Sequence, residues 1–442
     1  MASSSRRRTT AWCSPAHSQS AAPLQSAAQP HFAAQPQSAA PLQAPAPLQV
    51  STPTLASAPS PAPAPIEPRM QMPGRVEPQV GDAAPDAKRA LDDRGDPRRA
   101  ALLARLSEGG APRDMDLTGA DLSDLDLTGR SFSGTTLAEA DLSRCVLSGA
   151  NLAGVNMTRA KLLSAVLDGA DATRATLVGA KLDTASLAGA NLTSADLSGA
   201  TAAGASLTGA RCDRAKFVGV NLERASFAGA SLLESDLTKA HAAGADFSKA
   251  KLGGATLAQI DAEQASFAAA DLTSVNAERA ALTGANLEDV TAKGANFERA
   301  CLVRARFVRA HLVGGRFSKA SLDEATLTDA ELGSADLSKS AAAHVSASGA
   351  SLEGANLKNA TFTEANFSNA KLARANLSRG VFTHAGFEGA DLSHVDARAA
   401  RLASARFVRA NLTAADFRDA DLSGATMTDV IDADAKFKGA KR

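Results

Sequence analysis

The sequence lacks tyrosine altogether, and aromatic residues make up only 4% of its 442 residues. Large side chains of varied shape fill a globular core at close packing, whereas this chain supplies mainly alanine and leucine. A narrow, repetitive core suits this composition better. Net charge is also missing, because 47 basic residues balance 47 acidic ones. The chain as a whole is therefore not drawn electrostatically to nucleic acid or to an anionic membrane.

Motifs that carry chemistry are equally scarce. No run of about 18 apolar residues is present, so we expect no transmembrane helix. The four cysteines show no CxxC spacing, and we find no phosphate-binding loop and no nucleophile elbow. We therefore predict that the protein is not an enzyme and that it uses no cofactor, metal ion or small-molecule substrate.

Proline is missing from the sequence after Pro112, since all 18 prolines lie at or before that position. Residues 1–95 are rich in Ala, Pro, Gln and Ser, and we predict that they are disordered, because they hold too little large apolar surface to offset the entropy of ordering. This segment has no acidic residue before Glu67 and carries SSSRRR near its start. The composition is typical of a secretion or targeting signal. The alternative is a plain flexible tail.

Residues 96–112 are predicted to form a short helix. Asp96 suits the N-cap, Pro97 suits the first helical position, and Gly109–Gly110 suits the end. Because a repeat array exposes its first layer, we expect this helix to cover that layer. The apolar residues that would share one helical face are Leu102, Leu103 and Leu106.

A frame of five runs through segment 113–442 without insertion or deletion, from Leu117 to Phe437. The central residue is Leu, Phe or Met in 54 of 65 units, and the residue two before the next centre is Ala in 49 of 65. A period of five fits neither a helix nor a simple strand. We interpret each unit as one side of a square coil, with these two apolar residues inside and the other three facing solvent.

Four sides make one coil, so positions 20 apart should stack, and the sequence itself shows that longer period. Of the 15 phenylalanines at central positions, 12 fall in the columns that contain Phe217 and Phe227, on opposite sides of the square. A glycine column runs from Gly129 to Gly229, where we predict type II turns with a positive φ. The segment ARFVRA begins at residue 305 and again at residue 405, and these two positions are five coils apart.

Words such as ANLTSADLSGA (190–200) and ADLSGAT (420–426) resemble the A(D/N)LxG pattern of the pentapeptide-repeat family. The resemblance implies an all-β repeat solenoid, a right-handed quadrilateral parallel β-helix. We expect about 16 coils stacked about 4.8 Å apart. The family hosts many activities, so the fold does not decide the function.

One outward column places His344, Glu364 and His384 on successive coils. Two histidines and a carboxylate can bind zinc. At the coil spacing, however, the two histidines would lie about 9–10 Å apart, too far to share one ion. We predict no metal site there.

Function is expected on the outward columns of the coil. One of them forms a basic stripe (Lys239, Gln259, Arg279, Arg299, Lys319, Lys339, Asn359 and Arg379), and the recurring words add basic patches. Stacked like charges repel, so neighbouring acids, solvent or an anionic partner must compensate them. The alternative, a solvated charged face, is favoured by Glu278 and Glu298 beside the stripe. The candidate partner-binding residues are Arg279, Arg299, Lys319, Lys339, Arg379, Arg306, Arg309, Arg406 and Arg409.

We interpret the chain as a non-catalytic scaffold for an unidentified protein partner, with an anionic surface as a further candidate. An export segment before a rigid array resembles the layout of secreted effectors of bacterial pathogens in this family, which implies delivery into a host cell. Two alternatives stay open. Family members that bind DNA gyrase in the bacterial cytoplasm mimic duplex DNA with an acidic surface, but residues 101–442 carry 37 basic against 40 acidic residues. An organellar transit peptide fits MASSSRRR but not the Pro/Gln-rich continuation.

The far end of the array is expected to be uncovered, because the sequence stops at KFKGAKR with no helix to cover the last coil. An uncovered coil presents unpaired backbone edges, which pair readily with another chain. We therefore expect an end-to-end homodimer, or a protein partner that docks at this end.

Overall fold

A computed structural model describes residues 95–442. It begins with helix α1 (Pro97–Ser107), whose N-cap Asp96 accepts a hydrogen bond from the backbone N–H of Arg98 at 2.8 Å. Proline suits the first helical position because its missing N–H would have no partner there. The predicted disordered segment 1–95 lies outside the described residues except for Gly95.

Helix α1 is tied to the first coil of the repeat. Leu102 is fully buried and belongs to the continuous apolar core. The Arg99 guanidinium donates to the carbonyls of Asp121 at 3.0 Å and Ser123 at 3.1 Å. In return, the Asp121 N–H donates to the Asp96 carboxylate at 2.8 Å. The helix end and the coil are therefore joined by both packing and hydrogen bonds.

The repeat consists of single-residue parallel β-bridges, and no longer strand is present in residues 95–442. A bridge occurs at every fifth position and joins positions 20 apart, from Asp116↔Thr136 to Asp421↔Lys441. Each coil therefore has four sides, with one bridging residue on each. This is the square coil that the frame of five predicts.

The two apolar residues of each unit fill the inside of the coil. At most units both the central residue and the residue two before the next centre are buried, as at Leu152 and Ala150. Phe227, Phe247 and Phe267 stack in one column, with ring centroids 5.0 Å and 4.9 Å apart. Phe217 meets Phe227 edge to face at 5.6 Å from the opposite side. The phenylalanine columns thus meet across the coil in a favourable aromatic geometry.

The corners of the coil are tight turns, most of them closed by a hydrogen bond such as Ala150 N–H to Leu147 carbonyl at 3.0 Å. The second turn residue has a positive φ in every unit from Asp114 to Gly439, between 53° and 77°. The sequence predicted this conformation only for the glycine column. β-Branched side chains tolerate the left-handed region poorly. Among these positions only Thr184 is β-branched.

Gly380 is an exception at a position where the repeat otherwise favours alanine. A Cβ atom there would lie 2.6 Å from the Phe382 ring and 3.2 Å from the Ala360 carbonyl. The substitution Gly380→Ala therefore overpacks the coil although it matches the repeat. We expect it to lower the free energy of unfolding by about 1–3 kcal/mol, as measured by chemical denaturation followed by circular dichroism.

The matched control is Ser340→Ala at the same place in another unit. It removes only a hydroxyl that donates to the Leu337 carbonyl at 2.7 Å. Its effect should stay below about 1 kcal/mol. Equal stability of the two variants would mean that Phe382 is not held against Gly380.

Candidate interaction surface

The outward side of each unit consists of the bridging residue and the two turn residues that follow the centre. An Asp or Asn at the bridging position often accepts a hydrogen bond from the N–H two residues later, as Asp126 does from Thr128 at 3.0 Å. The Thr128 hydroxyl, which donates at 2.6 Å, and this N–H lower the pKa of Asp126. Such carboxylates stabilise their own turn. This explains the D/N choice in the repeat.

The middle of the basic stripe, from Arg279 to Lys319, is neutralised by two glutamates beside it. Glu278 lies 3.6 Å from Arg279 and 3.8 Å from Arg299. Glu298, whose side chain is only 20% exposed, lies 3.9 Å from Arg299 and 3.7 Å from Lys319. Three of the candidate residues thus have acidic neighbours within the protein.

The stretch 301–320, which contains five basic residues and no acidic one, is also neutralised. Its partners come from the adjacent coils, because positions 20 apart are neighbours in the coil stack. The pairs are Arg304–Glu324, Arg306–Glu288, Arg309–Asp289, Arg316–Glu298 and Lys319–Glu298.

The two copies of ARFVRA repeat one ion pair but not the other. Arg306 pairs with Glu288 at 2.5 Å, and Arg406 pairs with Glu388 in the same way at 2.8 Å, since the sequence offset between arginine and glutamate is the same in both copies. Arg309 makes a two-fold hydrogen bond to Asp289. The residue equivalent to Asp289 beside Arg409 is Gly389, which offers no carboxylate.

Three candidate residues, Lys339, Arg379 and Arg409, have no carboxylate at salt-bridge distance among residues 95–442. The same holds for Lys358, which the sequence reasoning missed. It lies in the column next to the stripe, and its carbonyl accepts the Lys339 N–H at 3.1 Å. Comparison of neighbouring columns, rather than of one column alone, would have found it. We call Lys339, Lys358 and Arg379 the upper cation patch.

Two residues of the histidine column lie close together. Glu364 lies 3.4 Å from His344, and within residues 95–442 no group of three or more possible ligands is placed to hold an ion. A surface depression of about 460 Å³ lies beside it, where Gly386 leaves an outward position without a side chain. The polar residues of its lining are Glu364, Asn366, Ser368, His384, Glu388 and Arg406.

The buried cysteines are unsuited to chemistry. Burial raises the pKa of the Cys145 thiol to about 11 and that of Cys212 further. Both therefore stay protonated at neutral pH and act as small apolar residues of the core. Across residues 95–442, no helix has the length and apolar character required to cross a bilayer.

Comparison with known proteins identifies the repeat. The family described as "Pentapeptide repeats (8 copies)" matches ten overlapping stretches that together cover 131–341 and 343–429. The chain belongs to the pentapeptide-repeat family. Its membership carries the right-handed quadrilateral β-helix that the sequence pattern predicts, and the bridges between positions 20 apart agree with that fold. A comparison with curated protein sequences gave no match.

Solved pentapeptide-repeat structures overlap parts of the chain. The plasmid-mediated fluoroquinolone resistance protein QnrB1 is 23% identical over 39% of this chain and 90% of its own, with a TM-score of 0.28. A thylakoid lumen protein of Arabidopsis thaliana is 39% identical over 22% of this chain and 69% of its own, at 0.22. HetL, which is involved in heterocyst differentiation regulation in Nostoc sp. strain PCC 7120, is 22% identical over 77% and 95%, at 0.16.

The two ARFVRA copies provide a matched test of corner strain in this pentapeptide-repeat protein. Arg309 and Arg409 have similar φ values of 56° and 57°. Arg409→Gly removes the strain and loses no ion pair, so we expect stability to rise by roughly 0.5–1 kcal/mol. Arg309→Gly should give a smaller gain because it also loses Asp289. Chemical denaturation of both variants measures the difference, and a larger gain for Arg309→Gly would contradict it.

Proposed function

We propose that the protein is a non-catalytic scaffold that binds a protein partner through its outward columns. The observation that carries this proposal is the filled interior, where the core side chains are at most 3% exposed. Because the inside of the coil is packed with Leu, Phe and Ala, the outward residues are the ones that can contact another molecule. These residues form flat ladders of turns and bridges, which suit the display of a surface better than the enclosure of a substrate.

We further propose that the protein is a secreted bacterial effector that acts in a host cell. Support comes from the acid-free segment at the start of 1–95, followed by the array. The alternative of gyrase binding by DNA mimicry is disfavoured by the charge of the surface, since 37 basic residues accompany 40 acidic ones in 101–442. The third proposal, import into an organelle, makes a distinct prediction for the same segment.

A reporter fused to residues 1–95 tests the effector proposal. We expect the fusion to leave the bacterium through an injection apparatus and reach host cells, because the segment has the composition of an export signal. The measurement is reporter activity in the host cytosol, with a secretion-deficient strain as the background. A reporter fused to residues 96–442 is the matched control and should stay in the bacterium.

The fusion experiment also separates the alternatives. Import of the fusion into an isolated organelle would favour the transit-peptide interpretation. Retention in both assays would contradict export and leave a scaffold with a plain tail. Neither result affects the scaffold proposal, which depends on the array.

We infer that α1 covers the first coil, because Leu102 belongs to the buried core and Arg99 donates to the carbonyls of Asp121 and Ser123. The last described coil differs. Its inward residues Met427 and Phe437 are only partly buried, and Ile431 beside them is 60% exposed. We propose that a second copy of the chain packs against this coil end to end.

Light scattering during size-exclusion chromatography tests the homodimer. The expected mass is twice the 44.9 kDa of one chain. Ile431→Asp should shift it to the monomer, because a charge at an apolar contact opposes association. Val313→Asp, which changes a 40% exposed residue far from the end, should not. A monomeric mass for the unchanged protein at all concentrations would exclude the dimer.

A further inference from the structure

The basic stripe has a neutralised middle, from Arg279 to Lys319, and an uncompensated upper part. Glu278 and Glu298 accompany the first, whereas the upper cation patch of Lys339, Lys358 and Arg379 has no carboxylate at salt-bridge distance among residues 95–442. All three side chains are exposed. Three cations on adjoining coils therefore repel one another without an acidic neighbour to offset the repulsion.

Two carboxylates at bridging positions on the same side of the coil as the patch are already engaged. Asp336 accepts hydrogen bonds from the Ser338 N–H at 3.0 Å and from the Asn356 amide at 2.9 Å. Asp396 is held by a two-fold hydrogen bond from Arg398. Rearrangement of either carboxylate toward the patch would break these contacts. These two carboxylates therefore leave compensation of the patch to solvent or to a bound anion.

The patch presents its donors in a row. Lys339, Asn359 and Arg379 occupy one column on successive coils, so an amide lies between two cations. Lys358 extends the row into the next column, where its carbonyl accepts the Lys339 N–H. At the coil spacing, the backbones of Lys339 and Arg379 are about 10 Å apart.

We propose that the upper cation patch binds an acidic peptide segment of a protein partner. This inference rests on the proposed scaffold function and names the chemistry of the partner. In an extended peptide, carboxylates on alternate residues lie about 7 Å apart, a spacing that long Lys and Arg side chains can bridge. Each carboxylate would accept charge-assisted hydrogen bonds, which are stronger than those between neutral groups.

Other anionic partners fit the patch less well. Single-stranded nucleic acid is bound by exposed aromatic side chains on which its bases stack. Here tyrosine is absent, and Phe362 and Phe382 near the patch are fully buried. A membrane surface would require apolar side chains among the cations. In residues 95–442, no exposed large apolar side chain lies between Val313 and Ile431.

The backbone supplies variants that remove the charges without harming the fold. Lys339 and Arg379 have φ values of 60° and 58°, where glycine is the preferred residue. Lys358 shares a column with Ser338 and Ser378, so serine fits there. The triple variant K339G/K358S/R379G should therefore fold at least as well as the unchanged protein, which thermal unfolding verifies.

Fluorescence anisotropy measures the binding of the full-length protein to a labelled peptide of alternating Glu and Ser. We expect K339G/K358S/R379G to weaken this binding by about tenfold or more. The control K239G/R279G/R299G removes three cations from the same stripe, again at positions with a positive φ. Because those cations lie outside the patch, the control should change the affinity by less than about twofold.

The result that overturns the proposal is equal affinity of the patch variant and the unchanged protein, or an equal loss in the control. Tighter binding of a single-stranded oligonucleotide or of phosphatidylserine vesicles to the same three residues would also overturn it. Each of these results concerns the patch alone. The scaffold proposal still stands if substitutions of other outward-facing residues abolish binding of a protein partner. Conversely, evidence against the scaffold function would not rescue the patch proposal after one of these results.

Discussion

The hydrogen bonds between successive coils are the constraint on which the rest of this structure depends. The N–H of Leu122 donates to the carbonyl of Asp141 at 2.7 Å, and the N–H of Asp141 returns a bond to Ala120 at 2.8 Å. Both bonds require that positions 20 apart stay in register. A single inserted residue that was not looped out of the coil would move every later inward side chain to the outside. The unbroken frame from Leu117 to Phe437 keeps this register along the whole repeat.

Strict register also determines what each side chain meets. An apolar residue stacks on its counterpart in the next coil, so phenylalanines in one column form ring stacks about 5 Å apart. The same geometry places like charges close together on the outside. Acids on the adjacent coil then provide compensation, as Glu288 does for Arg306 and Asp289 does for Arg309. Core packing and surface electrostatics therefore both follow from the stacking of positions 20 apart.

The sequence predicted the fold in more detail than it predicted the ion pairs on the surface. The frame of five identified the inward residues, and the phenylalanine columns identified the coil. Corner conformation was predicted only for the glycine column, because unbranched residues adopt the same positive φ at modest energetic cost and leave no sequence signal. The order of charges along the chain does not show the partners that 301–320 has on adjacent coils, nor the position of Lys358 beside Lys339. The need for glycine at Gly380 arises from the position of the Phe382 ring, which the repeat pattern does not show.

The corners connect stability to binding. Lys339 and Arg379 hold a left-handed backbone that glycine would adopt without strain, and in residues 95–442 no ion pair offsets that strain. In the neutralised middle of the stripe, Glu278 and Glu298 supply such an offset. Each coil contacts only its neighbours, so a strained and charged corner disturbs the array locally and leaves the register intact. A surface of this kind can therefore change its partner chemistry, one corner at a time, while the stacked core stays the same.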